Sequence, residues 1–515
     1  MKKYILNKII VVVIAILTTT SCSEYLELEP DIQKVITEGF TSEEDVLASI
    51  TGAYSLLAKR SLYGEAYPAS DYGTDEGYHA QSWTAAEPWI RLNNHNAETN
   101  SVRSLWVGFY QVINQCNTVI SRLNNTTASG FNVSKEKHIA EAKFLRGLSY
   151  LQLTVLFNEV PLRLTPSDSS ISNDLAPAEL SVVYNQIIED FKYASINLPH
   201  SNSSDYIPGM ANKMAAHGMM ARTYIKMAGA PYSKTEHYKD AMDQCDIIMK
   251  DGFHDIVVAA EGKGYSQLFK NYIGNSYNLK ESLFEISYSN LVNVGLSVSG
   301  RHGIFNGMSF QADKALFEFR NNVPYSQPTV IPSPVFDDVY DDADKRKSWN
   351  IPGIKAWNGK PSASYSKALS GSNTIGKFRR WEPLFPDDLV MSNATAPFYT
   401  ILEDVTIPNA SATGVNFPIL RFADVLLMFA EASNEVNGAP TSEGINALNR
   451  VRQRAGLDVI GVSNPLAIAG HDEFLSEIQD ERLRELCFEG LRKFDLVRWG
   501  IYSERLTKLE ESIIF

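Results

Sequence analysis

The segment 134–157 constrains the fold most, because it carries apolar residues on two faces of one helix. At spacings of three or four residues, one stripe holds Phe144, Leu148, Leu151 and Val155, and a second stripe holds Tyr150, Leu153 and Phe157. A helix that is apolar on two sides packs between neighbours, since either face would be unfavourable in water. The segment therefore predicts a chain built largely of stacked helices.

Helical periodicity recurs in the N-terminal half and near the C-terminus. It predicts helices at 43–58, 101–123, 178–197, 210–228, 236–250, 424–436 and 441–455. Thr41 or Ser42 caps the first of these, and the stretch 437–440, with its glycine and proline, stops the helix at 424–436. Because so short a turn forces its two helices to lie antiparallel, 424–456 resembles a tetratricopeptide unit of about 34 residues.

A last amphipathic pattern lies near the C-terminus. Its apolar face holds Leu483, Leu486, Cys487, Leu491, Phe494 and Val497, and its opposite face holds Arg484, Glu485, Arg492 and Lys493. Cys487, Cys116 and Cys245 are far apart and each lies in a helical pattern, so we expect buried thiols and no disulfide framework.

The region 252–420 has a different character. It is rich in Gly, Pro, Asn and Ser, with short apolar runs at 283–288 and 417–422. This composition predicts loops with a few short strands. Since 515 residues exceed what a single core usually supports, the chain is expected to form more than one lobe or a stacked array.

The N-terminus has the features of a secretory signal. A basic segment at 1–8 precedes nine apolar residues at 9–17, which as a helix would rise only about 14 Å and could not span a bilayer. The small residues after them end in Cys22 and look like a bacterial lipobox, although Thr19 stands where a leucine is usual. We predict a signal peptide at 1–21, lipidation of Cys22 and a tether at 22–40; the alternative is a plain signal-peptidase site.

Charge and motifs exclude several functions. The formal net charge is −13, which does not suit a protein that grips a phosphate backbone, so no nucleic-acid partner is expected. The sequence contains no H-E-x-x-H motif, P-loop, G-x-G-x-x-G or G-x-S-x-G, and no metal or cofactor is predicted. The acidic run at 337–344 lacks the glycine and final glutamate of a calcium loop, which indicates a solvated turn.

Five helical segments and the N-terminus together resemble the SusD/RagB family of outer-membrane, nutrient-binding lipoproteins. The segments are FPILRFADVLLMFAEASNEV at 417–436, INALNRVRQRAGL at 445–457, DERLRELCFEGLRKFDLVRWG at 480–500, HIAEAKFLRGLSYLQLTVLFNEVPL at 138–162 and SLWVGFYQVINQCNTVI at 104–120. They occur in the family's order and extend over nearly the whole mature chain.

The resemblance implies a mainly α fold, with about four tetratricopeptide-type helix pairs packed against an irregular lobe. It divides the mature chain into a helical region at 41–251, a loop-rich lobe at 252–420 inserted between the third and fourth pairs, and a C-terminal helical region at 421–515. The family usually has a longer tail after the motif that ends here at Gly500, and a shortened tail would leave the last helix less covered. The helical side is expected to contact a SusC-like TonB-dependent transporter, with the protein acting as its lid.

Aromatic residues that no helical stripe explains are the candidates for ligand binding. Pyranose rings stack on Trp and Tyr, while their hydroxyls bind Asp, Asn, Arg and Gln. The segment 63–91 combines aromatic and polar residues without a period, which predicts an aromatic loop. The candidate ligand-binding residues are Asp71, Tyr72, Asp75, Tyr78, Trp83 and Trp89, together with Arg301 and His302 in a second, glycine-rich segment at 297–310.

Three functions remain open from sequence. The first is a surface lipoprotein that binds an oligosaccharide, with a peptide ligand also possible, and passes it to the transporter. The second is a secreted carbohydrate-active enzyme, for which Asp71, Asp75 and Glu76 are the available carboxylates. The third is a helical-repeat scaffold that binds only proteins or peptides. We favour the first function, and we assign no residue a catalytic role.

Overall fold

The computed structural model of the protein describes residues 38–70, 73–78, 96–126, 135–167, 174–289, 299–311, 323–328, 330–357, 360–363, 374–384, 399–403 and 412–513. The predicted signal peptide and Cys22 lie outside these ranges, so lipidation stays a prediction.

The N-terminal half of the chain forms a series of helices, each packed on the next. They are α1 Glu43–Leu57, α2 Ala66–Ser70, α3 Asn100–Asn125, α4 Lys135–Phe157, α5 Leu180–Asn197, α6 Lys213–Ala228 and α7 His237–Lys250. Helix α1 packs on α3, and contacts then run in order from α3 to α7. Ser42, not Thr41, caps α1, because its side chain accepts a hydrogen bond from the backbone N–H of Asp45 at 3.1 Å.

Helix α4 confirms the prediction made from its two apolar stripes. It lies between α3 and α5, and nearly every residue from His138 to Thr154 is buried. Phe144 makes edge-to-face contacts with Phe191 on α5 and with Phe284 of the loop-rich lobe. The helix is therefore enclosed on several sides, as two apolar stripes require.

The loop-rich lobe contains short elements. Its helices are α8 Gly264–Ile273, α9 His302–Phe305, α10 Pro334–Asp338 and α11 Lys345–Asn350. Its strands are β2 Ser282–Ile286, β3 Phe310–Gln311, β4 Ile331–Pro332, β5 Ile354–Trp357, β6 Lys360–Ala363, β7 Trp381–Pro383, β8 Tyr399–Ile401 and β9 Phe417–Arg421, while β1 Gly77–Tyr78 comes from the N-terminal region. Helix α8 was not predicted, although Tyr265, Leu268, Phe269 and Tyr272 have helical spacing and are buried.

The loop-rich lobe is an insertion into the helical stack. Strands β2 and β9, from the two apolar runs predicted as strands, pair antiparallel and bring the beginning and end of the lobe together. Elsewhere β1 pairs with β4, β5 pairs with β3 and β6, and β7 pairs with β8. Helix α7 packs directly on the first helix after the lobe, α12 Phe422–Asn437, so the stack continues as if the lobe were absent. The predicted boundaries of the lobe and the grouping of the helices into four pairs stay predictions.

The C-terminal region continues the stack. After α12 come α13 Ser442–Arg454, α14 Ile460–Ser463, α15 His471–Leu486, α16 Arg492–Arg498 and α17 Tyr502–Ile513. Gly438 ends α12 in the left-handed conformation, at φ 63°, and the Thr441 side chain caps α13. Helix α17 packs on α10 and α16 with Leu509 fully buried, so the chain after Gly500 covers part of this flank.

The last amphipathic pattern belongs to two helices instead of one. The chain turns between α15 and α16, where Phe488 and Gly490 have positive φ angles of 59° and 76°. Most of the polar face of the pattern is also buried, since Arg484, Glu485 and Arg492 are at most 7% exposed while Lys493 is half-buried. The spacing identified the apolar face, but three residues of the opposite face are buried against other parts of the chain instead of facing water.

Buried ion pairs connect Glu485 of this face both to the lobe and to the rest of the C-terminal region. Glu485 pairs with Arg346 at 3.1 Å, with Arg421 at 2.9 Å and with Arg454. The predicted solvated turn at 337–344 is only partly solvated, because Asp344 is buried against Arg346 at 2.6 Å while Asp341 and Asp342 are exposed. Charges removed from water are tolerated here because each meets a partner of opposite sign.

The three cysteines other than Cys22 are buried thiols, as expected from the sequence. Cys116, Cys245 and Cys487 are free and buried, and burial raises the pKa of Cys116 to about 12. Across the part of the chain that the structure describes, we find no helix with both the length and the apolar character needed to cross a membrane.

Candidate functional site

Two carboxylates from the predicted aromatic loop are buried inside the protein. Asp75 accepts two hydrogen bonds from Arg492, from Nε at 2.7 Å and from Nη2 at 2.6 Å, and the Asp75 side chain is 0% exposed. Glu76 is also buried and accepts a hydrogen bond from the backbone N–H of Phe488 at 3.0 Å. The structure thus gives both residues a packing role between the N-terminal region and the turn before α16.

The described tyrosines of this loop also lie in the interior. Tyr63 and Tyr67 belong to the main hydrophobic core, where the Tyr67 hydroxyl donates to Gln152 Oε1 at 2.5 Å. Tyr78 is 6% exposed and packs with Ile331 and Leu509 in a small separate cluster. Asp71, Tyr72, Trp83 and Trp89 lie outside the described residues, so their ligand contacts stay predictions.

The two candidates from the glycine-rich segment have different environments. Arg301 is partly exposed, pairs with Glu65 at 3.0 Å and lies 4.3 Å from the centre of the Phe305 ring. His302 is buried, with its ring stacked on Phe378 at 5.0 Å and 9°, and burial lowers its pKa to about 3. Arg301 therefore remains accessible to a ligand, whereas His302 is a neutral core residue.

One cluster within the described ranges has the composition of a metal site, namely His200, Asp251 and His254. His200 Nδ1 accepts from the backbone N–H of Asn202 at 3.1 Å, which leaves the Nε2 proton for Asp251 at 2.8 Å. His254 lies within hydrogen-bond distance of Ser201 Oγ and the Lys280 carbonyl. Hydrogen bonds account for the cluster without an ion, since a metal on His200 Nε2 would require the other tautomer.

A cleft along α3 has the chemistry of a sugar-binding site. Its volume is roughly 660 Å³, within the usual range for ligand pockets. The lining residues come from the end of α1 and the residues just after it, from α3 and from the segment after α4: Leu56, Lys59, Trp106, Val107, Tyr110, Gln111, Asn114, Gln115, Pro161, Arg163, Ser167 and Leu175. A second depression of roughly 410 Å³ shares Val107 and Gln111 and extends to Asn100 and Arg103 near the start of the helix.

Hydrogen bonds from α3 fix the far wall of this cleft. The Tyr110 hydroxyl donates to the Pro161 carbonyl at 2.7 Å, and Asn117 Nδ2 donates to the Arg163 carbonyl at 3.1 Å. The Asn114 side chain accepts from the backbone N–H of Ser167 at 2.8 Å. Burial raises the pKa of Tyr110, so its hydroxyl stays a donor at physiological pH. The wall is therefore held in place before any ligand binds.

The aromatic side chains of the cleft belong to a cluster on α3. Trp106 lies 5.1 Å from Tyr110 and 5.1 Å from Phe157, measured between ring centres, and both Trp106 and Tyr110 are only partly buried. Partly exposed rings can accept the C–H face of a pyranose, while Gln111 and Asn114 offer amide groups to its hydroxyls; the Gln115 amide nitrogen already donates to the Ser49 carbonyl and hydroxyl. The described lining of the cleft thus combines a flat apolar surface with hydrogen-bonding groups, the two features that a sugar ring requires.

Sequence reasoning missed this cleft because both aromatic residues lie on the apolar stripe of α3. Because helical spacing explains Trp106 and Tyr110, neither was among the aromatic residues chosen as ligand candidates, and both are indeed partly buried. The available signal was the row of polar residues next to this stripe, at Arg103, Gln111, Asn114 and Gln115. Spacing alone could not reveal the concave wall supplied by the segment after α4.

Comparisons with known proteins cover both halves of the chain. A family model described as the SusD family matches residues 337–512, and one described as starch-binding associating with outer membrane matches residues 24–225. A curated relative, SusD-like protein P25 of Formosa agariphila, is 25% identical across 98% of this chain and 92% of its own length.

Solved structures have the same fold. A SusD homolog from Bacteroides thetaiotaomicron superposes with a TM-score of 0.76 at 25% identity, covering 94% of this chain and 91% of the homolog. A laminarin-binding SusD-like protein superposes with a TM-score of 0.66 at 22% identity, covering 91% and 94%. The second likeness is one of fold, and its ligand is a property of that protein.

Proposed function

Since the chain belongs to the SusD family, we propose that it is a glycan-binding protein of the bacterial cell surface. In this proposal it captures an oligosaccharide and delivers it to a SusC-like TonB-dependent transporter, over which it acts as a lid. A lipid on Cys22 anchors it to the outer membrane with its body facing outward. The family description, which names association with the outer membrane, supports this location.

The observation that carries the proposal is the cleft along α3. Trp106 and Tyr110 offer partly exposed rings, and the neighbouring amides and Arg163 offer hydrogen-bonding groups on a wall that the fold already holds in place. This combination of flat apolar surface and polar side chains fits a sugar ring. The family neighbour described as laminarin-binding adds support from a protein of the same fold.

Binding, and not hydrolysis, is the activity that the described carboxylates favour. A glycosidase needs two carboxyl groups facing each other across the scissile bond, about 5 to 10 Å apart and accessible to substrate. Asp75 and Glu76, two of the three acids considered from sequence, are buried, and Asp75 is paired with Arg492. We therefore propose a protein that holds its ligand without altering it.

The loop aromatics Trp83 and Trp89 form the second part of the proposed binding surface. Their segment follows Tyr78 and leads to α3 along the chain, and the first residues of α3 line the smaller depression. Arg301, which is partly exposed beside Glu65, is a further candidate. These residues and the cleft define what mutagenesis should test.

Affinity gel electrophoresis on a panel of polysaccharides tests the proposal directly. Retention of the wild-type protein by at least one glycan, weakened by Gln111→Ala, is expected, with Lys234→Gln as a control on an exposed residue outside the cleft. Co-purification of a transporter from detergent-solubilised membranes tests the partner. Retention by no glycan, or release of new reducing ends from any of them, would contradict the proposed function.

A further inference from the structure

The cleft along α3 is lined by positively charged residues, although the protein as a whole is negatively charged. The chain has a formal net charge of −13, yet the cleft and the adjoining depression are lined by Lys59, Arg103 and Arg163 and by no carboxylate among the described residues. Lys59 and Arg103 are exposed, and no ion pair of either with a described residue was found. A concave surface with one sign of charge concentrates ions of the opposite sign.

Arg163 has an immobilised backbone, and one nitrogen of its guanidinium lacks a hydrogen-bond partner among the described residues. Its backbone N–H donates to the Tyr150 hydroxyl at 2.7 Å, and its carbonyl accepts from that hydroxyl at 2.8 Å and from Asn117 at 3.1 Å. Its Nη2 atom is buried and has no hydrogen-bond partner among the described residues. A buried donor without a partner is unfavourable, so the arrangement calls for an acceptor that the described residues do not provide.

Several buried arginines of this protein pair with carboxylates, as expected of a guanidinium with a purely structural role. Arg346, Arg421 and Arg492 are each buried and each pairs with at least one carboxylate. Arg163 differs in that it lines an open cleft and meets no carboxylate within ion-pair distance in the described part of the chain. The planar guanidinium binds carboxylate or sulfate oxygens through two parallel hydrogen bonds, which makes it suited to an anionic ligand.

We infer that the cleft along α3 selects an anionic oligosaccharide, whose carboxylate or sulfate group pairs with Arg163 and Lys59 while a sugar ring lies on Trp106 and Tyr110. The inference rests on the proposed glycan-binding function and adds the ligand class. The amides of Gln111 and Asn114 bind the ring hydroxyls, and Arg103 extends the cationic surface toward the start of α3.

Isothermal titration with three probes tests this selectivity. The probes are laminarin oligosaccharides as the neutral glycan, polygalacturonate oligosaccharides for carboxylate and chondroitin sulfate oligosaccharides for sulfate, each at 50 and 300 mM NaCl. Wild-type protein is compared with Arg163→Gln, with Lys59→Gln as a second cleft variant, and with Lys234→Gln, which removes one charge at an exposed site outside the cleft. Thermal unfolding checks that each variant is folded.

At least one anionic probe is expected to bind the wild type more tightly than the neutral glycan, and more weakly at the higher salt concentration. Arg163→Gln should weaken that binding about tenfold or more, Lys59→Gln severalfold and Lys234→Gln hardly at all. Whether the carboxylated or the sulfated probe shows the effect identifies the group that Arg163 binds.

Three results would overturn the inference, and they are distinguishable. Equal or tighter binding of the neutral glycan, unaffected by Arg163→Gln, would leave the proposed function intact and remove the selectivity. Anion binding that both cleft variants leave unchanged would assign it to another surface. Binding of no glycan, combined with loss of transporter co-purification in both cleft variants, would make the cleft a protein-docking surface and would refute the proposed function as well.

Discussion

Arg492 donates two parallel hydrogen bonds to Asp75, from Nε at 2.7 Å and from Nη2 at 2.6 Å, although 417 positions separate the two residues. Both side chains are buried, with exposures of 1 and 0%. The pair fastens the segment before β1 to the first turn of α16, and so joins the N-terminal region to the C-terminal helices. A carboxylate predicted to bind ligand thus stabilises the fold.

We predict that Asp75→Asn lowers the free energy of unfolding by about 3 to 5 kcal/mol, because it leaves the Arg492 guanidinium buried without its counter-charge. Urea denaturation followed by circular dichroism measures the change. Asp243→Asn is the matched control, since it breaks an exposed pair with Lys239 on α7 and should alter stability by less than about 1 kcal/mol. Equal effects of the two substitutions would contradict this account.

Acid should destabilise the protein by protonating the buried carboxylates that pair with arginines. Burial alone would raise the pKa of Glu481, but Arg346 and Arg484 outweigh it and lower the pKa to about 2 from 4.5. Since the folded state has the lower pKa, the stability from this group is present above about pH 4.5 and is lost as the pH falls toward 2. Melting temperatures between pH 2 and 7 should fall steeply in this window, and less steeply in Glu481→Gln, which should be destabilised at neutral pH.

Glu285 should have the opposite pH dependence. Burial raises its pKa to about 7, although Ser282 and Asn416 donate hydrogen bonds to it. Because the folded state has the higher pKa, this group reduces stability progressively between about pH 4.5 and 7.

Glu285→Gln should therefore stabilise the protein at pH 8 and have little effect at pH 4.5. The amide retains an oxygen for Asn416 Nδ2 and gains a donor that the Ser282 hydroxyl can accept. Melting temperatures of wild type and variant at the two pH values provide the comparison, and equal differences at both would show that the carboxyl does not titrate in this range.

Tyr150 should act as a positioning residue for the proposed anionic ligand. Tyr150→Phe removes the hydroxyl that binds both the N–H and the carbonyl of Arg163 while keeping the ring. We expect severalfold weaker binding of the anionic probe and a stability loss of about 1 kcal/mol. Tyr288→Phe is the control, because its buried hydroxyl has no hydrogen-bond partner among the described residues. A loss of stability with unchanged affinity would limit Tyr150 to a structural role.

The residues of the proposed binding cleft were harder to predict than the helices, for a reason visible in α3. The spacing of the apolar residues of α3 shows on which side of the helix they lie. It does not show how much of each side chain is covered by neighbouring segments. Trp106 and Tyr110 share a stripe with fully buried residues such as Phe109 and Ile113, yet they remain partly exposed. Their exposure depends on the path of the segment after α4, which hydrogen bonds from Asn117 and Tyr110 hold in place.

The sequence by itself determined most of the long helices, the stop after α12 and the two longest strands. These features depend on residues close together in the chain, whose spacing selects helix or strand and whose turns contain glycine or proline. The resemblance of five segments identified the family for the same reason, since each segment is a local pattern.

Only the tertiary structure decided which polar residues are buried and which aromatic residues are accessible. The turn before α16, the pair of Asp75 with Arg492 and the contacts of Glu485 with three arginines all involve partners far apart in sequence. A charge can be buried only when such a partner arrives, and a ring remains accessible only where no neighbour covers it. Both conditions depend on how the lobe and the helices pack together.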